Sequence, residues 1–275
     1  MKIQEINSIV IEGGGYKLFP VLGALDYLEE KQILKNIKYF SGSSAGMIIA
    51  SLIACGYKVK DVKNIFESFR DLKPCFLSMI FNFVNKMGMV KFETVRNHLD
   101  SLISKKLKKN SLKGLYEERG ITLVIPVSNL SAGKVEYIDK NTNIDLSLGT
   151  WVAISAAFPL FIEPNIIEQE YYVDSGLLDN FPVQLFNKER HITLGLKIEK
   201  KRERDINGLF SYIEVVINSL FHIIEDLRME NLEKNENRTV IEFQTKNKSV
   251  LSIDIDQEEI QKEYENGYKK IKSSL

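Results

Sequence analysis

The sequence has few cysteines, few histidines and no long apolar run, and these shortages exclude several classes of protein. Two cysteines in 275 residues are too few for the disulfide framework of a small secreted domain or for a zinc cluster. No run approaches the roughly 18 apolar residues of a transmembrane helix, and residues 1–15 lack the apolar core of a signal peptide. We therefore expect a protein that is cytoplasmic or peripheral to a membrane.

The sequence also lacks an excess of charge of either sign. Lysine plus arginine and aspartate plus glutamate number 37 each, so we expect no nucleic-acid partner. The hydrophobic content of 44% and the charged content of 27% are typical of a globular protein. No repeat or linker is visible. We predict a single domain over residues 1–275, with a motif-bearing core at about 7–188 and a C-terminal completion at 189–275.

Strand-like and helix-like patterns alternate along the first part of the chain. Residues 6–12 form a β-branched run that ends in three glycines, and residues 18–32 have helical spacing. A second short strand at 37–40 precedes an apolar helix at 47–55. Further strands are predicted at 121–128, 134–139, 171–174, 192–198 and 239–245, and further helices at 61–71, 92–107, 152–157, 209–232 and 256–272. The pattern predicts an α/β fold in which a mostly parallel sheet is sandwiched by helices.

A Gly-x-Ser-x-Gly motif lies where the second strand passes into the apolar helix. Gly42, Ser44 and Gly46 fit a nucleophile elbow, in which a serine is exposed on a strained strand-to-helix turn. Small neighbours let the strand and the helix approach each other, and the helix N-terminus favours developing negative charge. The motif therefore predicts Ser44 as a nucleophile, supported by Gly42 and Gly46.

Three consecutive glycines follow the first strand. Gly13, Gly14 and Gly15 can turn successive N–H groups toward one point and so form an oxyanion hole. The alternative is a dinucleotide phosphate loop. That loop needs a third glycine where Leu18 stands and an acidic residue after the second strand, where the chain has Phe40 and Ser41.

An aspartate and a glycine follow the strand at 171–174. Asp174 ends this strand, at the edge where α/β sheets place their sites, and Gly176 follows in the motif Asp-Ser-Gly. None of the three histidines is well placed for a triad: His98 lies in a polar helix, His191 opens a strand and His222 lies in an apolar helix. The residues favour a dyad in which the carboxylate takes the serine proton directly.

Together these motifs resemble the patatin-like phospholipase family. The glycine-rich loop, the elbow, residues 153–164 (AISAAFPLFIEP) and residues 174–183 (DSGLLDNFPV) carry the resemblance. It implies a lipid acyl hydrolase, of phospholipase A or lysophospholipase type, that needs no metal or other cofactor. The substrate would be a lipid or phospholipid, reached by transient peripheral membrane contact. By position, Ser44 would be the nucleophile, Asp174 the base and Gly13, Gly14 and Gly15 the oxyanion loop.

Two positions depart from the family pattern. Leu18 stands where the family loop usually has a further glycine after the first three, and leucine would be strained if that position needs a positive φ. Ser175 stands where glycine is common. Two alternatives stay open: a weakly active or inactive membrane-associated protein on the same scaffold, and a Ser–Asp–His esterase that uses His191 or His222.

An unusual apolar segment lies between the two halves of the site. Residues 72–90 carry three phenylalanines and three methionines, with apolar residues on nearly every side of the predicted helix. The segment is either a core helix or a lid that docks on a bilayer and admits an acyl chain.

Overall fold

The computed structural model describes residues 3–69, 86–188, 190–199, 206, 208–232, 234–246 and 256–275. Its strands are β1 (Ser8–Ile11), β2 (Tyr39–Gly42), β3 (Gly88–Val90), β4 (Thr122–Asn129), β5 (Lys134–Ile138), β6 (Leu160–Ile162), β7 (Asn165–Ile167), β8 (Glu170–Val173), β9 (Thr193–Ile198) and β10 (Arg238–Phe243). Its α-helices are α1 (Phe19–Glu30), α2 (Ser44–Ala54), α3 (Val59–Ser68), α4 (Phe92–Ser104), α5 (Leu112–Arg119), α6 (Leu148–Ser155), α7 (Leu209–Glu230) and α8 (Gln257–Ser274).

A mostly parallel sheet organises these elements. Its strand order is β10-β9-β1-β2-β4-β8-β7, and β5 also pairs with β4. The strands β10, β9, β1, β2 and β4 run parallel, whereas β5 and β8 are antiparallel to β4 and β7 is antiparallel to β8. Every residue of β1 and β9 is buried, so helices cover both faces of the central strands, as the sequence predicts.

Two helix contacts fix the layers that surround the site. Helix α2 packs against β1, β2 and α6, and α1 packs along α8. The second contact is close because Gly23 and Gly267 have no side chains: a Cβ at either position would overlap the backbone oxygen of Tyr264 or Pro20. Within the described ranges, no helix is long and apolar enough to cross a membrane.

The segment at 72–90 is only partly described. Residues 70–85, which include most of the proposed lid, lie outside the described residues. At its end, Gly88–Val90 is a strand rather than part of a helix, and it pairs in parallel with β6. The pairing with β6 is a long-range contact that the local apolar pattern does not reveal.

Candidate active site

The serine turn joins β2 to α2 at the carboxyl end of the parallel strands. Ser44 begins α2 and has φ of 52°, a left-handed conformation that is strained for a serine. Gly46 permits the turn, because a Cβ there would overlap the backbone oxygens of Ile11 and Glu12. Gly42 likewise faces the oxygen of Ile11 at close range. The strand and the helix can therefore approach only with glycine at these two positions.

Asp174 reaches the same edge of the sheet on an antiparallel strand. Strand β8 enters from beyond the carboxyl end of β4, and Val173 pairs with Ser128 near that end. The Ser44 hydroxyl donates to Asp174 Oδ2 over 2.6 Å, and the N–H of Gly176 donates to Oδ1 over 2.7 Å. The structure therefore brings together two side chains that lie 130 positions apart in the sequence.

The carboxyl group of Asp174 is buried without a compensating cation in the described part of the chain. It is fully buried, and burial raises its pKa to about 7, although the hydrogen bonds from Ser44 and Gly176 lower it. No ion pair reaches Asp174 in the described part of the chain. A carboxylate with this pKa is a much stronger base than an ordinary aspartate, and it lies within hydrogen-bond distance of the proton that it would accept.

The glycine loop offers two free amides rather than three. The N–H of Gly13 donates to the backbone oxygen of Asn180 over 3.1 Å, and Asn180 Nδ2 donates back to Gly13 O over 3.2 Å. The N–H groups of Gly14 and Gly15 have no acceptor among the described residues. Gly15 has φ of 52°, a conformation that glycine adopts without strain. In the structure the Gly13 N–H is therefore occupied by Asn180, whereas those of Gly14 and Gly15 remain available.

Leu18 does not strain the loop. It has φ of −86°, an ordinary value for any residue, so this position does not require glycine. Its side chain is fully buried in the main core and contacts the position where Gly14 would carry a Cβ. The departure from the family pattern adds core packing and leaves the backbone unstrained.

The three histidines occupy different places. His191 contacts Ser8 Oγ through Nδ1 at 3.2 Å and packs on Tyr39, at the amino end of β1 and β9. It therefore lies at the opposite edge of the sheet from Ser44. His98 packs on Phe69, away from the cleft, whereas His222 lines the cleft beside Ser44.

A narrow cleft of about 70 Å³ opens beside Ser44. Phe158 and Phe221 form an edge-to-face pair with ring centroids 5.8 Å apart, and Ile198 adds to this apolar wall. Asn218 also lines the cleft, and its buried Nδ2 has no hydrogen-bond partner among the described residues. An apolar wall with a few polar groups is the usual form of a small-molecule site.

A cluster of buried charged side chains contacts α7, the helix that carries Phe221 of the apolar wall. Lys197 on β9 forms an ion pair with Glu225 on α7, and both side chains are almost fully buried. The carboxylate of Glu12, which precedes the glycine loop, accepts the N–H of Ile198 over 2.6 Å. Burial, and then the nearby Glu225, raises the pKa of Glu12 well above its ordinary value. Burial lowers the pKa of Lys197, but Glu12 and Glu225 outweigh it and raise that pKa. The cluster joins β1, β9 and α7 behind the cleft.

No group of three or more metal-binding side chains comes together within the ranges that the structure describes. Cys55 is buried, and burial raises the pKa of its thiol to about 12, so it behaves as an ordinary core thiol. Cys75 lies outside the described residues.

The sequence reasoning overlooked several residues of the site. Asn180 belongs to the segment 174–183 that marked Asp174 but was not selected from it, and Ser175 was noted only as a departure from the family pattern. Glu12 had a visible signal, since it is an acidic residue at the end of an otherwise apolar run. Lys197, Phe221 and Glu225 carried no local signal, because α7 reaches the cleft only through tertiary packing.

Comparison with known proteins places these features in a family. Residues 9–187 match the sequence model of the family described as patatin-like phospholipase. The chain is 26% identical to protein R571 of Acanthamoeba polyphaga mimivirus over 98% of its own length and 94% of the relative. It is also 25% identical to the protein named probable lipid hydrolase 463L of Invertebrate iridescent virus 6, over 67% of this chain and 64% of the relative.

Two solved structures share the fold. VipD from Legionella pneumophila matches with a TM-score of 0.59 and 18% identity, over 98% of this chain and 66% of the VipD chain. The ExoU–SpcU complex from the type III secretion system of Pseudomonas aeruginosa matches with a TM-score of 0.54 and 17% identity, over 98% of this chain and 51% of the solved chain. This chain therefore spans only one half to two thirds of these proteins, and at such identities the likeness concerns the fold alone.

Proposed function

The chain belongs to the patatin-like phospholipase family, and from this membership and the geometry of the cleft we propose that it hydrolyses acyl esters of lipids, with Ser44 as nucleophile and Asp174 as base. One observation carries the proposal. The Ser44 hydroxyl donates a 2.6 Å hydrogen bond to a fully buried carboxylate whose pKa is raised to about 7. A dyad needs this pairing of a serine hydroxyl at the cleft with a base of raised pKa.

The first step forms an acyl-enzyme. Asp174 accepts the proton of Ser44 while Oγ attacks the ester carbonyl, whose oxygen becomes a tetrahedral oxyanion. When the carbonyl re-forms, the alcohol leaves and takes the proton from Asp174. Burial of Asp174 favours this transfer, since a carboxylate poor in solvating partners gains more from accepting a proton.

The oxyanion would be stabilised by the N–H groups of Gly14 and Gly15, together with the N-terminus of α2. Both amides are free of other acceptors in the described chain, and Gly14 lines the cleft that contains Ser44. The positive end of the helix dipole favours negative charge at the same point. Loss of one such donor costs about 3 kcal/mol in comparable sites.

Deacylation uses the same groups with water as the nucleophile. Asp174 accepts a proton from water, whose oxygen attacks the acyl carbonyl, and the proton then returns to Ser44 as the fatty acid leaves. The dyad is restored, and one ester and one water are consumed for each acid and alcohol released.

The cleft favours an acyl group beside the nucleophile. Phe158, Phe221 and Ile198 line it with apolar surface, which suits a hydrocarbon chain better than a polar substituent. Such a substrate resides in a bilayer or micelle, so transient contact with a lipid surface belongs to the proposal.

Labelling with an alkyl fluorophosphonate tests the proposal directly. The reagent forms a covalent bond with an activated serine, and mass spectrometry of peptides should locate it on Ser44. Ser44→Ala should abolish labelling, whereas Ser51→Ala should leave it unchanged, since Ser51 Oγ donates to Ile48 O elsewhere on α2. Labelling that persists in Ser44→Ala would rule out the assignment.

One observation keeps the histidine triad as a second candidate: His222 lines the same cleft as Ser44. A triad would lose roughly 10³-fold or more of its activity on removal of its general base. Under the dyad proposal, His222→Ala should change kcat by less than about tenfold. Hydrolysis of a soluble short-chain ester distinguishes the two, and a complete absence of turnover in the unaltered protein would favour the inactive scaffold instead.

A further inference from the structure

Several buried hydroxyl groups converge on Ser175, the residue that follows Asp174. Ser175 is fully buried, and its Oγ lies 2.7 Å from Ser43 Oγ and 3.0 Å from Ser155 Oγ. It also accepts the N–H of Ser44 over 3.3 Å and reaches the backbone oxygen of Ser155 at 3.3 Å. The Ser175 side chain thus connects the turn at Ser43 and Ser44, the loop that begins at Asp174 (the base loop) and the end of α6.

The contact with Ser44 has a defined direction. A hydroxyl group has one proton to donate and two lone pairs that accept. A backbone N–H can only donate, so Ser175 Oγ must use one lone pair for Ser44. The remaining proton and lone pair serve the contacts with Ser43 and Ser155, so Ser175 Oγ has no further donor or acceptor to offer.

This arrangement leaves the start of α2 uncapped. Ser43 occupies the N-cap position, where a serine side chain ordinarily accepts an amide of the first helical turn. Here Ser43 makes no such bond, and its hydroxyl instead contacts Ser175. The N–H groups of Ala45 and Gly46 consequently have no side-chain acceptor in the described chain. These two amides of the first turn therefore keep their attraction for an anion.

Ser175 also supports a strained backbone. Ser44 has φ of 52°, and such a conformation costs about 1–3 kcal/mol unless its surroundings hold it. The bond from the Ser44 N–H to Ser175 ties this peptide to the residue that follows Asp174. The hydroxyl of Ser175 therefore contacts both Ser43 and Ser44, the two residues that set the orientation of the nucleophilic Oγ.

We infer that Ser175 is a positioning residue, whose hydroxyl holds the Ser44 turn against the base loop and diverts Ser43 from capping α2. It touches neither the ester nor the transferred proton, and it acts through Ser44 and through the free amides of the helix. The inference rests on the proposed acyl-transfer function. Glycine at this position could provide neither effect.

The test is Ser175→Ala, with kcat and KM measured on a soluble short-chain ester and with active sites counted by fluorophosphonate titration. We expect kcat per titrated site to fall about tenfold, as for the loss of a positioning interaction of about 1.4 kcal/mol, while KM stays unchanged. The matched control is Ser51→Ala. Like Ser175→Ala it removes a fully buried hydroxyl, but Ser51 lies on α2 and contacts neither Ser44 nor Ser175. It should lower thermal stability to a similar extent and leave kcat unaltered.

A second comparison separates positioning from general loosening. The increase in activation free energy for Ser43→Ala combined with Ser175→Ala should be smaller than the sum of the increases for the two single variants, because both variants remove the same contact. Should Ser175→Ala fail to fold, Ser175→Gly provides the same comparison. A kcat for the Ser175 variant within twofold of the unaltered enzyme, or an equal loss in Ser51→Ala, would overturn the inference. Both results require an active unaltered enzyme, so they are distinct from failure of the proposed function.

Discussion

Two buried aspartates on the same loop, Asp174 and Asp179, have opposite surroundings. Asp174 contacts one hydroxyl and one backbone amide, and its Oδ2 faces the cleft serine. Asp179 Oδ2 receives bonds from Tyr137 and Gln184, both over 2.6 Å, and an ion pair from Arg228 at 3.3 Å. Both side chains are at most 1% exposed.

The difference shows what makes a buried carboxylate a base. Burial raises the pKa of both groups, but at Asp179 the hydrogen bond from Tyr137, the charge of Arg228 and the bond from Gln184 oppose it. Three side chains, on β5, on α7 and in the loop that follows Asp174, hold the Asp179 carboxylate. They stabilise its ionised form and so lower its affinity for a proton. Asp174 has no such partners, so it remains available to the Ser44 proton.

The largest expected effect separates the two residues by activity. Asp174→Asn retains the shape but cannot accept a proton, so kcat should fall by roughly 10²–10⁴-fold. Asp179→Asn should lower kcat by less than about tenfold, because Asp179 lies outside the dyad. Initial rates on a soluble short-chain ester provide the measurement. If Asp179→Asn abolished activity and Asp174→Asn spared it, the comparison would be reversed and the base wrongly assigned.

The pH dependence of activity is the next effect in size. The base must be ionised to accept the serine proton, and burial raises the pKa of Asp174 to about 7. We therefore expect kcat/KM to rise about tenfold per pH unit below that value and to level off above it. Asp179→Asn should leave the midpoint in place. A midpoint near pH 4 would show that Asp174 is not desolvated in the free enzyme.

The smallest expected effect concerns thermal stability. The pKa of Asp174 is higher in the folded chain than in the unfolded one, so the folded state holds the proton more tightly between the two values. Its contribution to stability is full below the unfolded pKa and is lost as the pH rises through about 7. Asparagine does not titrate. Asp174→Asn should therefore raise Tm by several degrees at pH 8, and this gain should vanish near pH 4.

Asp179→Asn is the control for that measurement. Burial raises the pKa of Asp179 too, but Asp179→Asn leaves Arg228 and Tyr137 without their charged partner, so any gain in Tm at pH 8 should be smaller than for Asp174→Asn. Differential scanning calorimetry at the two pH values gives both results. A fall in Tm for Asp174→Asn at pH 8 would mean that the ionised carboxylate stabilises the folded state instead of destabilising it.

Local patterns were sufficient for the central strands and for most helices. The runs at 6–12 and 37–40 correspond to β1 (Ser8–Ile11) and β2 (Tyr39–Gly42), and the β-branched residues of β1 suit a strand buried on both faces. The same reasoning missed β3, β6 and β7, which are three residues long. Such short strands have no periodicity of their own and exist only through their partners.

For the site, the sequence alone determined the residue types that acyl transfer requires. The glycine loop, the Ser44 turn and the Asp174 motif could each be read from a few neighbouring residues, because tight turns restrict composition locally. Only the tertiary structure decided how these residues act together. It brought Asp174 to Ser44 on an antiparallel strand, gave the Gly13 amide to Asn180 and turned Ser43 toward Ser175. It also buried Asp174 without a cation, and a pKa depends on that whole environment rather than on neighbours in sequence.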